Sequence, residues 1–227
     1  MGGAVTAHPH GQDPRTSGTG RLADDFFLMA HEESSGKLLL AERIAGLGLA
    51  AALLGELALA ECIELREGAV AVLDSSARDD DLSGRVLEFL KQEQHPTRTW
   101  LAFFGQSART EVGRRLADDR LLVRETRKRP WQESRWLPVS TAVAVRPTAL
   151  LCTQLIRGHG LERRDLVLLG LLRATGLDQP VLWEVRQSSP DALRRAGELL
   201  GSLDASLTEL LIQTEAAVGS AIATHRF

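Results

Sequence analysis

Ala45-Gly-Leu-Gly-Leu-Ala-Ala-Ala-Leu-Leu-Gly-Glu-Leu-Ala-Leu-Ala60, followed by Cys62-Ile-Glu-Leu65 and Ala69-Val-Ala-Val-Leu73, is the stretch that decides the fold. The first segment has one charge, Glu56, in sixteen residues, so its helix must be buried on nearly every side. The two apolar runs after it flank Glu67-Gly68 and read as strands joined by a tight turn. The unit is therefore helix, strand, turn, strand. It recurs in pattern. Residues 110–117 read as a helix and Leu121-Leu-Val-Arg-Glu125 as a strand, and Trp136-Leu-Pro-Val139 can pair back across Lys128-Arg-Pro130.

Around these two modules the chain is mostly helical. Residues 22–30 form a first helix with Asp24 and Asp25 near its start, and Lys37-Leu-Leu-Leu-Ala41 is expected to be a short buried strand. Further helices are expected over 82–93, capped by Asp80 or Asp81, and over 97–104, with Trp100, Leu101 and Phe104 on one side. Helical spacing then predicts 140–157, 163–175, 190–201 and 203–223, divided by Gly158-His-Gly160, Gly176 and Ser188-Ser-Pro190. The predicted fold is mainly α: a single-domain helix bundle with small β-hairpins, one of them protruding. Residues 1–20, rich in Gly, Thr, Pro and His, read as a flexible tail, leaving 21–227 as the domain.

Composition narrows the function. The 227 residues carry 27 Lys and Arg against 30 Asp and Glu, a net charge of −3, with 44% hydrophobic residues. That is an ordinary globular balance, and the longest apolar stretch is both too short and interrupted by Glu56 for a membrane span. The two cysteines, Cys62 and Cys152, each lie in an apolar segment, which favours buried thiols in a reducing cytoplasm.

Catalytic and metal signatures are missing. The six histidines (8, 10, 31, 95, 159 and 225) never fall at helical ligand spacing with a second ligand, so no metal site and no cofactor is expected. Neither a nucleophile elbow nor a phosphate-cradling Gly-rich loop occurs, and Gly46-Leu-Gly48 lacks the strand and third glycine of a dinucleotide fingerprint. Those glycines are expected to serve packing. Adjacent acids such as Asp24 and Asp25 point apart on a helix and make poor catalytic dyads. Glu56 is costly to bury alone and should find an arginine or backbone donors.

The clearest candidate surface is the second hairpin. Arg120, Arg124, Arg127, Lys128, Arg129 and Arg135 face only Glu125 and Glu133 between residues 120 and 136, with Trp131 and Trp136 among them. Arginine with tryptophan suits an anionic bilayer, where indoles sit at headgroup depth and guanidinium groups bind phosphate. The bland reading is a solvated wing with its tryptophans packed on the body.

Several stretches together resemble the Golgi phosphoprotein 3 family, including its bacterial members. They are Leu22-Ala-Asp-Asp-Phe-Phe-Leu-Met-Ala30, Ser35-Gly-Lys37, the 48–60 core segment with Ile63-Glu-Leu65, Val112-Gly-Arg-Arg-Leu116 and Arg163-Arg-Asp-Leu-Val-Leu-Leu-Gly-Leu-Leu-Arg-Ala-Thr-Gly176. The resemblance implies a non-enzymatic, peripheral membrane protein that binds phosphatidylinositol 4-phosphate. In eukaryotic relatives it implies an adaptor that grips the tails of glycosyltransferases. It places the family's headgroup-stacking tryptophan at Ala41, and its three lipid-binding arginines at Ala50, Thr110 and Gly113. None of the four side chains is retained. Arg43, Arg109, Arg114 and Arg115 are the nearby cations that could substitute, and Arg115 could equally pair with Glu56.

The expected function is thus reversible docking on anionic phospholipid from the cytoplasm, by that patch and by the hairpin residues Arg124, Arg127, Lys128, Arg129, Trp131, Arg135 and Trp136. A protein client and homo-oligomerisation through the hairpin are expected partners of the same surface. Two other readings compete. Helix, strand and basic hairpin over 111–139 also describe a winged-helix DNA reader, although Glu111, Asp118 and Asp119 on its recognition helix would repel phosphate. A lipid-independent oligomeric scaffold pairing through strand edges is the other.

Overall fold

The computed structural model describes residues 19–74, 81–125, 135–158 and 160–224. Among these are eleven helices and two separate two-stranded antiparallel sheets. In chain order they are α1 (Leu22–Met29), α2 (Glu42–Leu59), β1 (Ile63–Arg66), β2 (Ala69–Val72), α3 (Asp81–Gln92), α4 (Thr97–Gly105), α5 (Ala108–Asp118), β3 (Leu122–Glu125) and β4 (Arg135–Pro138). The C-terminal half adds α6 (Thr141–Arg157), α7 (Arg163–Thr175), α8 (Asp178–Val181), α9 (Trp183–Ser188), α10 (Pro190–Leu200) and α11 (Ala205–Thr224). The fold is mainly α, as its periodicity predicts, and both helix-plus-hairpin modules form.

Helix α2 is the axis of the bundle. It packs against α1, α4, α5, α7 and α11, and every residue from Ala45 to Gly55 is buried. Its small residues make this possible. Any side chain at Gly46 would collide with the backbone of Gly105 in α4, so the two helices cross backbone to backbone. The glycine pair that resembles part of a dinucleotide fingerprint therefore serves packing. Trp100, Leu101 and Phe104 of α4 all face this core.

The strands follow from local chemistry. Ile63 and Leu65 of β1 point inward while Glu64 and Arg66 point out, and the register pairs Ile63 with Val72 and Arg66 with Ala69. The turn between them places Glu67 at φ +51° and Gly68 at φ +75°, the left-handed pair that a tight hairpin requires. In the second sheet Leu122 pairs with Pro138 and Arg124 with Trp136.

One expectation needs correction. Residues 37–41 are not a buried strand. Only an isolated bridge joins Leu38 to His31, Leu39 is 45% exposed, and its N–H donates to the Ala30 carbonyl as part of a turn over the end of α1. No neighbouring strand is there to extend it. Helices α8 and α9 fill the stretch after Gly176, which helical spacing in the sequence leaves unassigned. In the second hairpin, β3 is mostly exposed and residues 135–138 are half-buried, while the tip, 126–134, lies outside the described residues. The suggested Asp80 cap is also outside them, and Asp81 is the first residue of α3. Of the expected tail, only Thr19 and Gly20 are described.

Candidate functional site

The site is built where the start of α2, the start and middle of α5, and the β3–β4 stem converge. Glu42, in the first turn of α2, receives a hydrogen bond from Arg109 Nη1 at 2.8 Å, and Arg43 beside it is exposed. One turn along α5, Arg114 Nη1 donates to both carboxylate oxygens of Glu111, at 2.9 and 3.0 Å. Glu111 also accepts from Arg85 Nη2 of α3 at 2.7 Å. The surface thus carries Arg43, Arg85, Arg109 and Arg114 around two acids. Such rim pairs are weak in water, typically below about 1 kcal/mol, and their cations stay available to a stronger anion.

Arg115 has the opposite fate. Its guanidinium is 7% exposed, between Asp24 of α1 and Glu56 of α2. Nη2 lies 2.7 Å from Asp24 Oδ1, and Nη1 lies 3.2 Å from Glu56 Oε2. Glu56 is further held by the Ala23 N–H at 2.8 Å. The reading of Arg115 as a lipid ligand is therefore corrected: it is buried, and its donors are spent on the carboxylates of Asp24 and Glu56. The counter-ion anticipated for Glu56 is present. Burial drives the Asp24 carboxyl up to about 6; Arg115 opposes this, and the neighbouring Glu56 charge adds to it. Asp25 turns the other way, to Arg164 Nη2 at 2.6 Å, and burial raises it too. The two acids do point apart.

The positions where the resemblance places the family's lipid ligands divide the same way. Ala41 and Thr110 are exposed, whereas Ala50 is fully buried inside the hydrophobic core. Gly113 is buried under the indole of Trp136, so that a Cβ there would come within 2.6 Å of the ring. The space a longer side chain would need is filled by tryptophan. Arg124 lies over the same indole, 5.7 Å from its centroid, and Arg135 Nη1 donates to the Ser35 carbonyl at 3.5 Å. Trp136 thus follows the bland reading of the hairpin, in which its tryptophan packs on the body. The signal was a glycine in an otherwise well-populated helix, which marks a close approach.

The hairpin candidates Arg127, Lys128, Arg129 and Trp131 lie outside the described residues. Arg124 is exposed, and Arg135 and Trp136 are half-buried. His31 closes the inner side of the region. It stacks on Phe27 at 4.2 Å, its Nδ1 lies 2.7 Å from the Phe27 carbonyl, and its buried Nε2 has no hydrogen-bond partner. Burial lowers its imidazole to about 4, the Phe27 carbonyl opposing this and Arg109 adding to it, so it is neutral at physiological pH. Among the described residues no group of His, Cys, Asp and Glu could hold a metal ion. Neither cysteine is disulfide-bonded; Cys62 is buried, and burial pushes the half-buried Cys152 thiol up to about 11.

A second concavity, a cleft of about 750 Å³, opens at the other end of α2. Its arginines are held by aspartates, Arg21 by Asp119, Arg163 by Asp204 and Arg164 by Asp25. Arg164 Nε and Nη1, both buried, have no hydrogen-bond partner there.

The Golgi phosphoprotein 3 (GPP34) family model matches residues 22–218, so the chain belongs to that family. No curated protein matches the chain. Among the described residues no helix is long and apolar enough to cross a membrane.

Proposed function

We propose that this protein is a non-enzymatic, peripheral membrane protein that docks reversibly on anionic phospholipid from the cytoplasm. The observation that carries the reading is the set of exposed Arg43 and Arg114 with half-buried Arg109 between them, gathered beside the exposed family positions Ala41 and Thr110. Membership of a lipid-binding family supports it. Each cation near an anionic surface contributes about 1 kcal/mol, so a handful recruits a protein reversibly without anchoring it.

The headgroup preference is broad. Phosphatidylinositol 4-phosphate recognition in the family's manner needs guanidinium groups at positions here occupied by Ala50, Thr110 and Gly113. A methyl group, a hydroxyl and a glycine under an indole offer no such fork. Charge density, not a fitted phosphate pocket, is what this face offers. An adaptor role, with a client peptide held at the same surface, extends the reading. The DNA-reader alternative finds less support, since α5 buries Arg115 and leaves Asp118 exposed, with Asp119 exposed just beyond it.

The test is vesicle flotation. Wild-type protein should float with phosphatidylcholine vesicles containing phosphatidylserine and stay behind with phosphatidylcholine alone, and Arg109→Ala with Arg114→Ala should lose most of that enrichment. Absence of any anionic enrichment at moderate salt would sink the proposal.

A further inference from the structure

Two exposed aromatic side chains meet on the surface. Phe89 of α3 is 46% exposed and Phe103 of α4 is 47% exposed, and their rings meet edge to face with centroids 5.5 Å apart. Beneath them Phe104 lies 6.1 Å from Phe89 and 5.3 Å from Phe103, and it stacks on the buried Trp100 at 5.3 Å. The pair therefore stands on a rigid aromatic base. Two half-exposed phenylalanines in contact leave apolar surface in water that the fold has no need to expose.

Their surroundings name the partner. Phe89 lies one turn after Arg85 on the same face of α3, and Arg85 holds Glu111, which holds Arg114. Phe103 lies two residues before Gly105, where α4 crosses Gly46 at the start of α2 next to Arg43 and the Glu42–Arg109 pair. The aromatic pair and the arginine face are thus continuous across α3, α4, α5 and the start of α2. Most acids along this tract are paired with cations, Glu111 with two arginines, Glu42 with Arg109 and Glu88 with Lys91, while Glu93, one turn after Phe89, bonds His95. Helix α4 itself contains Arg98 and no acid.

We propose that Phe89 and Phe103 insert together into the interfacial region of an anionic bilayer while the neighbouring arginines contact its headgroups. This rests on the membrane reading above and names the element that enters the lipid. A folded protein partner fits less well. Two half-exposed phenylalanines offer on the order of 200 Å², against roughly 800 Å² per partner in a stable interface. A bilayer sets no such threshold, because each apolar side chain partitions on its own.

Insertion and charge separate by salt. Electrostatic recruitment fades as the Debye length shrinks to about 3 Å at 1 M salt, whereas apolar insertion persists. With the full chain on phosphatidylcholine vesicles containing phosphatidylserine, Phe89→Ser with Phe103→Ser should lower partitioning roughly thirtyfold. It should also abolish the binding that the wild type retains at high salt. Phe103→Trp should keep binding and add an indole whose emission, above the wild-type background, is quenched by lipids brominated high on the acyl chain. Circular dichroism confirms that the variants fold. If the wild type floats and the double serine variant floats equally well, or the added indole is not quenched, the insertion proposal is wrong while the membrane reading stands. If the wild type never enriches on anionic vesicles, both fall. If the serine variant changes only the mass seen by light scattering, the pair joins copies of the chain and the proposal is overturned.

Discussion

Arg114 and Arg115 are adjacent on α5, and they end in opposite worlds. Arg114 lies on the surface, 55% exposed, sharing Glu111 with Arg85; Arg115 is 7% exposed and bridges three helices through Asp24 and Glu56. The same guanidinium is an adaptable surface charge in one place and a structural rivet in the other. The difference is solvent. In water an ion pair offsets its own desolvation and entropy almost fully, whereas a buried carboxylate left without its partner has nowhere to send its charge.

The sharpest way to break the comparison is Arg115→Met. It leaves two buried carboxylates facing an apolar side chain, and the loss of stability should reach about 3–5 kcal/mol, measured by urea denaturation. A cost below about 1 kcal/mol would show that the cluster does not hold the helices together.

The pH dependence of the same cluster comes next. Because the Asp24 carboxyl rises from its ordinary 3.8 to about 6, the folded state holds that proton more tightly than the unfolded chain. Its contribution to stability is complete below pH 3.8 and is lost as pH rises through about 6. Stability of the wild type relative to Asp24→Asn should therefore grow by roughly 2–3 kcal/mol between pH 7 and pH 4. A flat difference across that window would place Asp24 in water rather than in the core.

Gly113→Arg tests the boundary between the two worlds. A side chain there meets the Trp136 indole, so the substitution should cost about 1–3 kcal/mol, visible as a lowered thermal midpoint. In a Trp136→Ala background the same arginine should be tolerated and should strengthen binding to anionic vesicles. If Gly113→Arg folds as well as wild type with Trp136 in place, the indole does not cover the glycine.

The smallest effect is expected at Arg114→Ala. Stability should stay within about 0.5 kcal/mol of wild type, while partitioning onto phosphatidylserine vesicles falls about fivefold. Arg114 and Arg115 would then be separated by function as cleanly as by burial.

Legibility in the sequence follows the same division. That Glu56 needs an arginine was readable, because an acid inside an apolar helix has few ways to persist. That Asp24 shares the same guanidinium was not, since residues 24, 56 and 115 meet only after three helices pack. The cationic character of the second hairpin could be counted from its residues. That Trp136 covers Gly113 depends on the angle at which the β3–β4 sheet folds back over α5, which no local spacing encodes. Residues 37–41 looked like a strand because three leucines in a row suit a buried edge, yet without a partner they close a turn instead.

The chain by itself determined its helices, its two hairpins and the burial of α2, because these depend on periodicity, turn residues and an apolar run that must leave water. Tertiary structure alone decided which arginines face solvent, that the position at Gly113 is closed by an indole, and that Phe89 and Phe103 touch beside a cationic face. Those are matters of distance between residues far apart in sequence, and charge and apolar surface acquire their energies only from what is packed against them.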